Sequence, residues 1–104
     1  MEPMSTIADR TLRPDDPIAA DLFNYIDDSP SPHHAVASSA SRLEAAGFRE
    51  RLETDAWDTV AGRWYIKRDG ALIAWQRPES APAGTRMRLA GAHTDSPNLR
   101  VKPR

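Results

Sequence analysis

A histidine and an aspartate stand two residues apart in Gly91-Ala92-His93-Thr94-Asp95-Ser96-Pro97-Asn98. In an extended segment, residues i and i+2 project to the same side. Neutral imidazole nitrogen is a good ligand for divalent zinc, and a metal-bound imidazole is commonly oriented by a carboxylate or carbonyl next to it. His93 and Asp95 therefore have the types and spacing of a metal ligand with its orienting acid. The bare pair equally fits a strand end followed by a polar turn. The apolar run from Met87 to Ala92 predicts a strand over 86–91 that delivers the pair, and Ser96-Pro97-Asn98 predicts a sharp turn after it.

The longer string carries more information. Gly91-Ala92-His93-Thr94-Asp95-Ser96-Pro97-Asn98-Leu99-Arg100-Val101-Lys102-Pro103 resembles the first metal-ligand motif of the M18 metallopeptidases, the aspartyl aminopeptidase family. Asp28-Ser29-Pro30-Ser31-Pro32-His33-His34-Ala35-Val36-Ala37, running on to Arg42-Leu43-Glu44-Ala45-Ala46-Gly47-Phe48, resembles the amino-terminal helix region of the same family. The likeness extends over 18–104. It implies that His93 is a ligand to one zinc of a close pair, and that Asp95 is the acidic residue of the catalytic site that keeps a metal-bound imidazole neutral and basic. It also implies a peptide substrate, release of an amino-terminal and acidic residue, a homo-oligomeric full-length enzyme, and an α/β zinc-aminopeptidase fold. The family has an aromatic residue where His33 stands and a histidine where His34 stands, so His34 alone matches.

The family's other site residues are a bridging carboxylate, a glutamate pair, a further acidic ligand and a second histidine. All of these follow the first motif. The expectation is that 15–104 are the amino-terminal, incomplete part of the catalytic domain, inactive and poorly stable alone. The alternative is a non-catalytic chain that binds or co-assembles with a full-length relative. A free-standing metal module would instead require His93, Asp95, His33 and His34 to converge.

Other chemistries find less support. No Gly-x-Ser-x-Gly elbow surrounds Ser96, and cysteine is absent, which excludes thiolate zinc, thiol catalysis and disulfides. His33 and His34 fall in the first turn of a helix, where the positive end of the dipole disfavours an added cation; they read as polar surface. Arg100 and Lys102 read as exposed strand charges. A formal net charge of −1 argues for neither nucleic acid nor an anionic membrane as partner, and no apolar run reaches membrane-spanning length. The start lacks a basic-then-apolar leader pattern. A cytoplasmic location is expected.

The supporting elements follow from local signals. Residues 1–14 carry little to bury and are expected to form a flexible arm. Asp16-Pro17 is a cap followed by a first-turn proline, opening a helix that ends before Pro30; Ile18, Leu22, Phe23 and Ile26 recur on one face, expected to be core, with an oligomer surface as the alternative. Ser31-Pro32 repeats the signal for a second helix to Ala46, with Gly47 as left-handed stop and Phe48 folding back. Phe48–Leu52 is expected to be a short strand, and Trp57 to roof the core edge. Arg63–Arg68 and Ala71–Gln76 flank Asp69-Gly70, a hairpin with a type I′ turn and cross-strand aromatic packing. Residues 78–85 are a loop by composition, and Leu99 to Lys102 have strand character.

Overall fold

The computed structural model describes residues 13, 15–56, 61–99 and 101–104. The elements are α1 (Pro17–Asp27), α2 (Pro32–Ala45), β1 (Arg49–Glu50), β2 (Gly62–Arg68) and β3 (Ala71–Arg77). The architecture is α/β, as the family resemblance implies. The segment assigned to a flexible arm lies, apart from Arg13, outside the described residues, as do Trp57 and Arg100.

Both helices begin where the cap chemistry dictates. The Asp16 carboxylate accepts from the Ile18 N–H at 2.9 Å, and Ser31 Oγ accepts from the His34 N–H at 3.3 Å, each with proline as the next residue. A side-chain acceptor at this place satisfies one of the otherwise unpaired first-turn donors. At the end of α2, Gly47 takes φ 88°, its N–H bonds the Glu44 carbonyl at 3.0 Å, and the Phe48 N–H bonds the Leu43 carbonyl at 2.9 Å. That pair of bonds is the Schellman stop, which needs a residue comfortable at positive φ.

The sheet is ordered β1-β2-β3, with β1 parallel and β3 antiparallel to β2. The hairpin register sets Trp64 opposite Trp75, Tyr65 opposite Ala74 and Ile66 opposite Ile73. The connecting turn departs from the expected type: Asp69 carries the left-handed φ of 50° and Gly70 does not. A type I′ turn needs positive φ at both central residues. Across the fold Gly70 closes against Pro32: a Cβ on Gly70 would stand 3.1 Å from Pro32 Cβ.

The core is small and is built on α2 and β2, with Tyr65 on the sheet face toward α2 and Ile66, next in the strand, on the other. Ala35, Val36, Ala40, Tyr65 and Ile66 are buried, and Tyr65 wholly so. The Tyr65 hydroxyl reaches the Glu44 carboxylate on α2, and Arg63 Nη1 donates to the Ala46 carbonyl at 2.8 Å. On α1, the expectation of a core-facing apolar stripe is overturned. Ile18, Leu22, Phe23 and Ile26 are all exposed, Ile18 to 61%, and Ala19 is the buried residue of this helix. The face that meets α2 is polar instead: Tyr25 shares a hydrogen bond of 2.9 Å with Ser39, and Arg42 pairs with Asp21 at 2.7 Å while lying 5.3 Å from the Tyr25 ring centre. This ion pair lowers the Asp21 pKa and raises that of Arg42.

Two expected strands are also absent. Residues 86–91 and the described neighbours of Arg100 form no strand, and Met87, Leu89, Leu99 and Val101 are exposed. A strand is defined by its ladder, and none of the described strands lies beside these stretches. The short strand expected after Phe48 is present, shortened to two residues, with the Arg51 N–H continuing the ladder to the Tyr65 carbonyl at 2.8 Å.

The hydrogen bond to Glu44, followed by burial, pushes the Tyr65 phenol from 10.0 up to about 12. A pKa raised on folding stabilises the fold fully below the unfolded value and loses that contribution as pH climbs through the folded one. Urea midpoints are therefore expected to fall between about pH 10 and 12, and Tyr65→Phe is expected to flatten this limb. Equal alkaline loss in both proteins would assign it to other groups.

Candidate metal-ligand site

His93 and Asp95 lie in the irregular segment that follows the hairpin, both 79% exposed at their side chains. They come together as their spacing suggests. His93 Nδ1 is 2.6 Å from the Asp95 backbone carbonyl and 3.4 Å from its Oδ1. A carbonyl oxygen can only accept, so Nδ1 carries the hydrogen. The neutral ring then presents the lone pair of Nε2 outward, the tautomer a zinc ligand needs. The backbone carbonyl makes the close contact, and the carboxylate stands further off. Sequence spacing does not distinguish these two acceptors of one residue.

His34 is held differently. Its Nδ1 is 2.7 Å from Ser31 Oγ, the same hydroxyl that accepts from the His34 N–H. A hydroxyl both donates and accepts, so this contact, unlike that of His93 with a carbonyl, selects neither tautomer. His33 is exposed beside it. Among the described residues, no group of three or more His, Asp or Glu side chains could hold a metal ion. The convergence required for a free-standing metal module is thus missing there.

Two tethers fix the segment that carries His93. Thr94 Oγ1 donates to the Gly70 carbonyl at 2.6 Å, and Asn98 Nδ2 donates to the Pro30 carbonyl at 3.3 Å. Gly70 is the hairpin tip and Pro30 belongs to the corner between α1 and α2, so the segment is laid across two turns that also touch each other through Gly70 and Pro32. The sequence places Asn98 in the turn after Asp95, but neither long-range tether can be read from it.

A model of the family described as "Aminopeptidase I zinc metalloprotease (M18)" matches residues 25–104, which include α2, the sheet, His93 and Asp95. The chain belongs to the M18 peptidase family. It is 60% identical over 84 residues to the "Probable M18 family aminopeptidase 2" of Streptomyces coelicolor, covering 81% of this chain and 19% of that protein. The protein of the same name from Streptomyces avermitilis is 61% identical over the same shares. That of Mycobacterium leprae is 49% identical, with 81% of this chain and 20% of the relative covered. The chain thus spans about a fifth of the length of the curated M18 relatives it matches.

The M18 family is one of zinc metallo-aminopeptidases, so the donor set can be tested against that ion. A catalytic zinc takes three protein ligands and keeps one position open. His93 Nε2 fits one such position. The described residues offer no second and third beside it, and by themselves they do not hold the ion.

Because Gly70 lies outside the left-handed region, its role is the close approach to Pro32. Gly70→Ala is expected to cost about 1 kcal/mol, the lower end for overpacking. It should also speed amide exchange at Thr94 and Asp95. Unchanged exchange there, with the same global stability, would uncouple the hairpin tip from the His93 segment.

Proposed function

We propose that this chain supplies the first zinc ligand, His93, and its orienting residue, Asp95, to an M18 aminopeptidase that removes amino-terminal, acidic residues from peptides. The observation that carries the reading is the family match over 25–104, which takes in the His93-Thr94-Asp95 motif. The ring orientation described above supports it, because it leaves Nε2 free toward solvent. In this reading 15–104 are the amino-terminal part of the catalytic domain. The bridging carboxylate, the glutamate pair, the further acidic ligand and the second histidine come from polypeptide other than this segment. The complete site holds two zinc ions, and the complete enzyme is a cytoplasmic homo-oligomer.

Zinc, when bound, polarises a carbonyl and makes water acidic enough to attack near neutral pH. The contribution of this chain is narrower. Asp95 holds the Nδ1 hydrogen, so the imidazole stays neutral and its ligating nitrogen stays aimed. No helix among the described residues is long and apolar enough to cross a membrane, which is compatible with the proposed location.

The test uses the full native product purified from its own cells, with zinc content and cleavage of Asp- and Glu-initiated peptides as readouts. His93→Ala is expected to remove metal and lower kcat/KM by at least about 100-fold. Asp95→Asn, which removes the carboxylate charge and keeps the backbone carbonyl that makes the close contact, is expected to weaken zinc binding by less than about 10-fold, the lower end for loss of an orienting partner. A folded native product that leaves both peptides uncut with zinc supplied would sink the proposal.

A further inference from the structure

The tethers at Thr94 and Asn98 have a function that deepens the proposed one and rests on it. A single imidazole on an exposed, irregular segment has no reason to be aimed. The His93 side chain is 79% exposed, and the residues around it belong to no helix or strand. Rotation of the segment would sweep Nε2 through space and charge the ordering entropy to metal binding. The structure restrains the segment from both sides of Asp95.

On the near side, the Thr94 hydroxyl donates to the Gly70 carbonyl at 2.6 Å, across 24 residues of sequence. On the far side, the Asn98 amide donates to the Pro30 carbonyl at 3.3 Å, across 68 residues. Both acceptors are backbone carbonyls of tight turns, which are stiffer anchors than side chains. Both turns are held in turn by α2: Gly70 abuts Pro32, its first helical residue, and Pro30 precedes its cap, Ser31. The Thr94 backbone lies directly between His93 and the carbonyl that receives the His93 Nδ1 hydrogen. Fixing Thr94 therefore fixes the two ends of that short contact together.

We infer that Thr94 and Asn98 are positioning residues, which clasp the His93 segment to the hairpin tip and the α1–α2 corner and so pre-aim the imidazole for zinc. Neither touches the reacting atoms. Their effect passes through the orientation of His93, so it should appear in metal affinity and ring tautomer before it appears in substrate affinity.

The test compares Thr94→Val, Thr94→Ser, Asn98→Ala and His93→Ala in the full native product. Zinc affinity is measured by competition with a chelator. The His93 tautomer is read from its ring nitrogen chemical shifts in the metal-free protein. Thr94→Val is isosteric but cannot donate, and it is expected to weaken zinc binding about 10-fold or more, in the range for loss of groups that orient a ligand. It should also shift the His93 ring toward a mixture of tautomers. Thr94→Ser should restore both, Asn98→Ala should produce the smaller change of the two tether losses, and KM at saturating zinc should stay unchanged. A zinc affinity and tautomer in Thr94→Val and Asn98→Ala within twofold of the unaltered protein, while His93→Ala loses zinc, would overturn the clasp and leave the proposed function standing. Retention of zinc by His93→Ala would overturn both. Should Thr94→Val fail to fold, Thr94→Ser and Asn98→Ala decide: normal zinc binding in Asn98→Ala refutes the clasp, and a weakened one supports it.

Discussion

The burial of Tyr65 between the sheet and α2 is the contact on which the rest of this small fold depends. Among the described residues it is the large side chain that is fully removed from water. Its ring contributes apolar area, and its hydroxyl keeps a partner in Glu44, so burial strands no polar group. Around it the sequence supplies small residues: Ala35 and Ala40 let α2 lie close to the strands. A close helix brings Pro32 to the hairpin tip, and that approach is what a glycine at position 70 permits. The path from core to site therefore runs through three contacts: Tyr65 seats α2, α2 seats the hairpin tip, and the tip holds Thr94.

The electrostatics of the molecule are arranged at its edges. Lys67 pairs with Glu50 at 3.4 Å and Arg68 with Glu53 at 2.8 Å along the exposed margin of the sheet. Exposed pairs of this kind contribute little to stability. Arg51 stacks 4.1 Å from the Trp64 ring centre, covering the face of the hairpin turned away from α2. These contacts dress a sheet whose strength comes from the β2–β3 ladder and the aromatic pair Trp64 and Trp75.

What the sequence made legible was local. Asp16-Pro17 and Ser31-Pro32 mark both helix starts because capping is a relation between a residue and its near successors. Gly47 marks the end of α2 for the same reason, and two aromatic runs around Asp69-Gly70 mark the hairpin. The His93–Asp95 pairing was also readable, since a spacing of two suffices to bring them together. What was not legible depends on distant partners. Gly70 closes on Pro32 at the start of α2, the strands expected at 86–91 and after Leu99 need ladders that no described strand provides, and the tethers of Thr94 and Asn98 reach carbonyls far back in the chain. The apolar stripe of α1 was visible as a pattern, but the pattern could not say that α2 would meet this helix through Ser39 and Arg42.

That last arrangement has a consequence for how the molecule comes apart. A helix fastened by an ion pair and a shared hydroxyl, with its oily side in water, is joined to its neighbour by forces that dissolved salt weakens and that hydrophobic burial does little to reinforce. Ile18, Leu22, Phe23 and Ile26 are already in water, so parting α1 from α2 uncovers little further apolar surface.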